Sequence, residues 1–132
     1  MKDEDSESAA WTLEEDGLDL KDRTKAYALR ILRLYASLSD SAEAQVIGKQ
    51  LLRSGTSAGA NYREAYRARS NAEFIAKCGV SLQELEETAY WLELLVEAEV
   101  VPHSKLANLL DETNQLLALF TTISKNAKSR SS

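Results

Sequence analysis

Residues 74–96 read FIAKCGVSLQELEETAYWLELLV, and within them Ile75, Cys78, Leu82, Leu85, Ala89, Leu92 and Val96 recur at alternating steps of three and four. That spacing lines one face of a helix and has nothing of the two-residue alternation of a half-buried strand. Just upstream, Ser70 followed three residues later by Glu73 is a capping-box signature, so the helix is predicted to open there. Downstream, Pro102 suits a helix start, and Leu106, Leu109, Thr113, Leu116, Phe120 and Ile123 continue the same three-four rhythm.

The same period appears on the N-terminal side. Ala28, Ile31, Leu32, Tyr35 and Leu38 predict a first helix from about Lys21, and Ser39-Asp40-Ser41 interrupts it. Asp40 with Glu43 reads as a second capping box, opening a helix that runs through Ile47, Leu51 and Leu52 to about Ala68. Four amphipathic helices joined by short connections force antiparallel neighbours, so the predicted fold is all-α, an up-down-up-down four-helix bundle over residues 20–127. With five glycines and one proline in 132 residues, the chain lacks the turn chemistry of an all-β fold. Its length suits one domain.

The net charge of −5 conceals a division. Residues 1–19 carry eight acids against Lys2, a net −7, and the rest of the chain carries +2. The acidic segment is expected to be a disordered tail on which Trp11 could dock, and residues 128–132 a disordered C-terminus. Within the body, residues 20–38 and 49–77 are each +4, whereas residues 84–112 are −7. A molecule basic on one side and acidic on the other complements a copy of itself head to tail. One cysteine cannot form an internal disulfide, Met1-Lys2-Asp3-Glu4-Asp5 is unlike a secretion signal, and no apolar run spans a membrane. A soluble, cytoplasmic protein is expected.

Gly48, Gly55, Gly59 and Gly79 fall inside helical stretches, where each costs about 1 kcal/mol relative to alanine. Residues 54–61, SGTSAGAN, hold no bulky side chain, yet Leu51, Gly55, Ala58 and Tyr62 keep helical spacing through them. The reading is a helix whose Gly55, Ala58 and Gly59 admit a neighbouring backbone closely.

The residues Lys49-Gln50-Leu51-Leu52-Arg53-Ser54-Gly55-Thr56-Ser57, Gly59-Ala60-Asn61, Glu64-Ala65, Phe74-Ile75, Lys77, Glu84, Glu87-Thr88 and Tyr90-Trp91-Leu92 together form a specific pattern. By it the sequence resembles the four-helix-bundle proteins encoded within intervening sequences of bacterial 23S rRNA genes, a ribosomal-protein-like family. The resemblance implies an antiparallel bundle that associates into a homopentameric ring. A related branch, the accessory proteins of diversity-generating retroelements, binds nucleic acid and a reverse transcriptase. The sequence departs from the family pattern at Ala58, where a larger aliphatic is usual, at Gln83, where lysine is common, and in its acidic extension; the last two lower its positive charge.

Among chemical motifs, Gly55-Thr56-Ser57-Ala58-Gly59 matches the letters of a hydrolase nucleophile elbow, but no strand precedes it and the single histidine, His103, stands beside Pro102. One histidine cannot furnish a di-metal bundle site, and Cys78 on an apolar seam reads as a small core residue. No catalytic residue, metal, cofactor, small-molecule substrate or membrane partner is expected. The partner expected first is a second copy of the chain, with another protein or RNA as alternatives. In Tyr62-Arg63-Glu64-Ala65-Tyr66-Arg67-Ala68-Arg69, aromatics interleave with arginines, a mixture suited to protein interfaces or to phosphate contact with base stacking. Arg53, Tyr62, Arg63, Tyr66, Arg67 and Arg69 are therefore the candidate contact residues, for a subunit interface or for RNA on the basic surface of helices 1 and 2.

Overall fold

The computed structural model describes the backbone of residues 4–131 and the side chains of residues 20–130. Four helices follow one another: α1 Glu4–Ser37, α2 Ala42–Tyr66, α3 Asn71–Glu97 and α4 His103–Ser131. They form an antiparallel four-helix bundle in which consecutive helices are neighbours, and no strand occurs among the described residues. None of the described helices is long and apolar enough to cross a membrane.

The helices are longer than expected at both ends. The backbone of α1 is helical from Glu4, through most of the segment expected to be disordered, and no proline interrupts that stretch. The side chains of residues 1–19, including Trp11 and its expected docking, lie outside the described ones. At the other end α4 continues through residues 128–131, where disorder was expected, with Lys128 and Arg130 in its last turn, the favourable place for cations.

Two caps start the middle helices. The Ser41 hydroxyl, rather than the expected Asp40 carboxylate, accepts from the Ala44 N–H at 3.2 Å. The turn is set by the Gln45 amide, which donates to the Ser39 carbonyl at 2.8 Å and places Ser41 one residue before the helix. At α3 the cap forms at Ser70 as read, the Glu73 N–H donating to the Ser70 hydroxyl at 3.1 Å, but the reciprocal bond shifts by one residue, the Glu73 carboxylate accepting from the Arg69 N–H at 3.4 Å.

The core lies along one stripe of each helix. On α4 the stripe is the expected one, with Leu106, Leu109, Thr113, Leu116, Phe120 and Ile123 all buried. On α3 the buried line is Cys78, Ser81, Leu85, Thr88, Leu92 and Leu95, so Leu82 and Val96 of the expected seam sit at its partly buried margin. Ser81 and Thr88 face α2 instead. The Ser81 hydroxyl donates to the Ala58 carbonyl at 2.8 Å, and the single proton of Thr88 Oγ1 is shared between Ser54 Oγ at 2.8 Å and the Glu84 carbonyl at 2.7 Å. Small hydroxyl residues on both helices thus replace side-chain interdigitation with hydrogen bonds in a fully buried seam.

On α1 the buried residues are Leu20, Thr24, Tyr27 and Ile31, and Leu32, expected to point inward, is 44% exposed. What turns α1 this way is the glycine row on α2. A Cβ added at Gly55 would stand 2.8 Å from Ile31 Cγ1, and one at Gly59 would stand 3.1 Å from Thr24 Cβ and 3.3 Å from the Thr24 carbonyl oxygen. Across the bundle Tyr27 Oη and Thr113 Oγ1 share a buried hydrogen bond of 2.6 Å, and the Arg23 guanidinium grips Glu112 through Nη2 at 2.6 Å and Nε at 3.1 Å. These polar links bridge α1 to α4, which meet over a smaller surface than the other neighbouring pairs.

Candidate interaction surface

The contact residues expected from the sequence divide into three groups. Tyr62 is excluded: it is buried, with its ring edge-on to Phe120 at 5.3 Å between centroids. Its position explains this, since Tyr62 continues the Leu51, Ala58 stripe that faces the core. Arg53 is exposed but already engaged: it bridges α2 to α3 by donating through Nη1 to Glu84 at 3.1 Å and through Nη2 to Glu87. Glu84 and Glu87, one turn apart on α3, form a fork for a single guanidinium.

Arg63, Tyr66, Arg67 and Arg69 are exposed. Tyr66 presents its ring to Lys21, whose ammonium lies 4.5 Å from the centroid, a cation–π pair between α1 and α2. No ion pair forms at Arg63, Arg67 or Arg69 among the described residues. The intervening Glu64 carboxylate instead accepts from Lys77 of α3 at 2.6 Å. That hydrogen bond, reinforced by the opposite charge, holds the Glu64 carboxyl below its ordinary value and the Lys77 ammonium above its own.

Among the described residues, surface grooves run between helices, and cations line three of them. One of about 250 Å³ between α1 and α2 has Lys25 and Arg63 beside Ala28, Thr56 and Ala60. Another of about 460 Å³ between α1 and α4 has Arg30, Arg33 and Lys105 over Leu34 and Leu109. The third, also about 460 Å³, lies between α3 and α4 with Lys125 and Lys128. The larger exposed apolar side chains are Leu29, Leu32, Val46, Tyr66 and Tyr90, the last 54% exposed on the outer face of α3. Sequence periodicity missed Leu29 and Leu32 as surface groups because it placed Leu32 in the core; Tyr90 was legible, falling between Glu86 and Glu93 on the side of α3 away from Leu85 and Leu92.

Among the described residues the letters of the nucleophile elbow do not form one. Residues 55–59 lie within α2, so Ser57 stands on a regular helix and not on a strand-to-helix elbow, and His103 is exposed at the start of α4. Among the described residues no three His, Cys, Asp or Glu side chains converge to hold a metal ion. Cys78 is buried, and burial pushes its thiol up to about 12, far from a reactive thiolate.

Comparison with known proteins adds the family. Residues 16–122 match the model of the 23S rRNA-intervening sequence protein family. The chain belongs to that family. Its structure is similar to the crystal structure of a protein of unknown function from the S23 ribosomal protein family of Bacteroides thetaiotaomicron, with 39% identity and a TM-score of 0.78, covering 83% of this chain and 97% of the other. No curated protein matches the chain. The segment matched to the 23S rRNA-intervening sequence family takes in all of α2 and α3 and most of α4, and so spans the Ser54–Ser81–Thr88 seam and the α2 glycines.

Proposed function

We propose that the chain is a non-enzymatic, cytoplasmic scaffold that assembles into a homo-oligomeric ring and acts through protein–protein contacts. Five copies is the number that the family resemblance suggests. The supporting observation is that the charge division outlasts pairing inside the subunit. Arg53 pairs with Glu84 and Glu87, leaving one negative charge over, and Lys77 pairs with Glu64, yet Lys25, Arg33, Arg63 and Arg67 on α1 and α2 and Glu86, Glu93 and Glu97 on α3 enter no ion pair among the described residues. Surfaces of opposite sign on one subunit favour a heterologous contact, which closes into a ring when the rotation permits. Light scattering on the purified protein tests the reading: the expected mass is a multiple of the 14.6 kDa chain, five-fold for the pentamer, and a monomeric mass at tens of micromolar protein defeats it.

A second reading, RNA binding on α1 and α2, is favoured by the exposed Arg63 and Arg67 beside the Lys21–Tyr66 pair, which offers cations and a ring for stacking. Filter binding across a salt series tests it. Retention that falls steeply with salt and drops further in Arg63→Glu with Arg67→Glu supports RNA contact, and negligible retention at low salt removes it.

A further inference from the structure

The self-assembly reading leaves open which surfaces meet, and the distribution of exposed apolar and unpaired charged groups favours one pair. On α1, Leu29 and Leu32 are 41% and 44% exposed. Beside them the α1–α2 groove has Ala28 and Ala60 in its lining and two exposed cations, Lys25 and Arg63, on its rim. Neither cation forms an ion pair among the described residues. Apolar surface left in water beside two unneutralised cations is a face suited to an apolar group flanked by carboxylates.

The chain itself carries such a group. On the outer side of α3, Tyr90 is 54% exposed, with Glu86 one turn before it and Glu93 one turn after, both exposed and free of ion pairs among the described residues. Steps of four and three residues put these three side chains on one stripe. The groove between α1 and α2, about 250 Å³, is of the order of a single aromatic side chain in size. Tyrosine is also among the residue types enriched at interface anchors, a large apolar ring whose hydroxyl stays satisfied at the margin.

We infer that the subunit contact is heterologous, with the Glu86–Tyr90–Glu93 stripe of one copy seated on the Lys25–Leu29–Leu32–Arg63 face of the next. Tyr90 fills the α1–α2 groove, Glu86 and Glu93 meet Lys25 and Arg63, and Leu29 and Leu32 are covered. The two patches belong to different helices of the same subunit, so each copy offers one of each, as a closed ring demands. This pairing rests on the self-assembly reading. It differs from the sequence expectation by centring the basic half on α1, with Arg63 in the last turn of α2 as its only contribution from that helix, and by giving Tyr62 no part.

Charge reversal in three variants, followed by sedimentation velocity and circular dichroism, tests the pairing. All four charged positions are exposed, so helical content should be unchanged throughout. Lys25→Glu with Arg63→Glu, and separately Glu86→Lys with Glu93→Lys, should each lower the sedimenting mass to that of one 14.6 kDa chain. The variant with all four reversals should regain the wild-type mass, because both surfaces change sign together. Tyr90→Ala should weaken assembly tenfold or more. If the wild type assembles and both double variants keep its mass, the inferred surfaces are wrong and the scaffold reading stands. Loss of assembly in the double variants without recovery in the fourfold one overturns the pairing. A monomeric wild type overturns the scaffold reading and the pairing with it.

Discussion

Glycine at two positions of this bundle has opposite meanings. At Gly55 an added Cβ would stand 2.8 Å from Cγ1 and 3.0 Å from Cγ2 of Ile31, a β-branched side chain with little rotamer freedom to withdraw. At Gly79, on the exposed side of α3, an added Cβ meets nothing within 4 Å. Gly55→Ala is therefore expected to destabilise by about 1–3 kcal/mol through overpacking, outweighing the gain in helix propensity. Gly79→Ala should stabilise by about 0.5–1 kcal/mol, the full difference in propensity. Urea denaturation of the two variants checks the pair, and equal shifts of the same sign would show that the α1–α2 contact does not need the glycine. The sequence showed that both glycines carry a helix cost, but spacing alone could not say which one has a neighbour.

At the scale of an element, the end of α3 is held by a motif that contains its own strain. The Val100 N–H reaches back to the Leu95 carbonyl at 2.9 Å and the Glu99 N–H to the Val96 carbonyl at 3.0 Å, the paired bonds of a Schellman turn. The residue between helix and turn must then be left-handed, and it is Glu99, with φ 61°, where glycine is the usual occupant. Glu99→Gly is expected to stabilise the protein by up to about 1 kcal/mol, since the steric cost at that φ exceeds the entropy that glycine adds to the unfolded chain. A thermal melt that falls instead would assign Glu99 a compensating interaction. On α2 and α3 the hydroxyl seam carries a related lesson. Ser81 and Thr88 fit the three-four spacing of Cys78, Leu85 and Leu92, but their polarity hid them from a reading that followed apolar residues alone.

For the molecule as a whole, two buried groups make stability depend on pH at the alkaline end. Burial raises the Cys78 thiol to about 12, and burial likewise raises the Tyr27 phenol above its usual value, the Thr113 hydrogen bond opposing it in part. In both cases the folded state holds the proton more tightly than the unfolded chain. Stability from this source is intact below about pH 8.5, where an unfolded thiol is still protonated, and declines above it at up to about 1.4 kcal/mol per pH unit for each group. Urea midpoints should therefore fall between about pH 9 and pH 11. Cys78→Ala should flatten the first part of that decline, and a wild-type midpoint constant over the range would mean that the thiol and the phenol titrate as freely as in the unfolded chain.

The number of helices, their order, the Ser70 cap and the buried stripe of α4 from Leu106 to Ile123 follow from local spacing, because a helix displays its periodicity wherever an apolar face must be hidden. The charge division is equally a property of the sequence. The rotation of α1, the ring against which Tyr62 packs and the capture of Arg53 by Glu84 and Glu87 are tertiary outcomes. Each depends on which residue of another helix comes opposite: Ile31 lies against Gly55, Phe120 meets Tyr62, and a carboxylate pair one turn apart on α3 faces Arg53. Periodicity fixes a face to within part of a turn, whereas a contact requires the register between two helices, and that is set by the whole packed core.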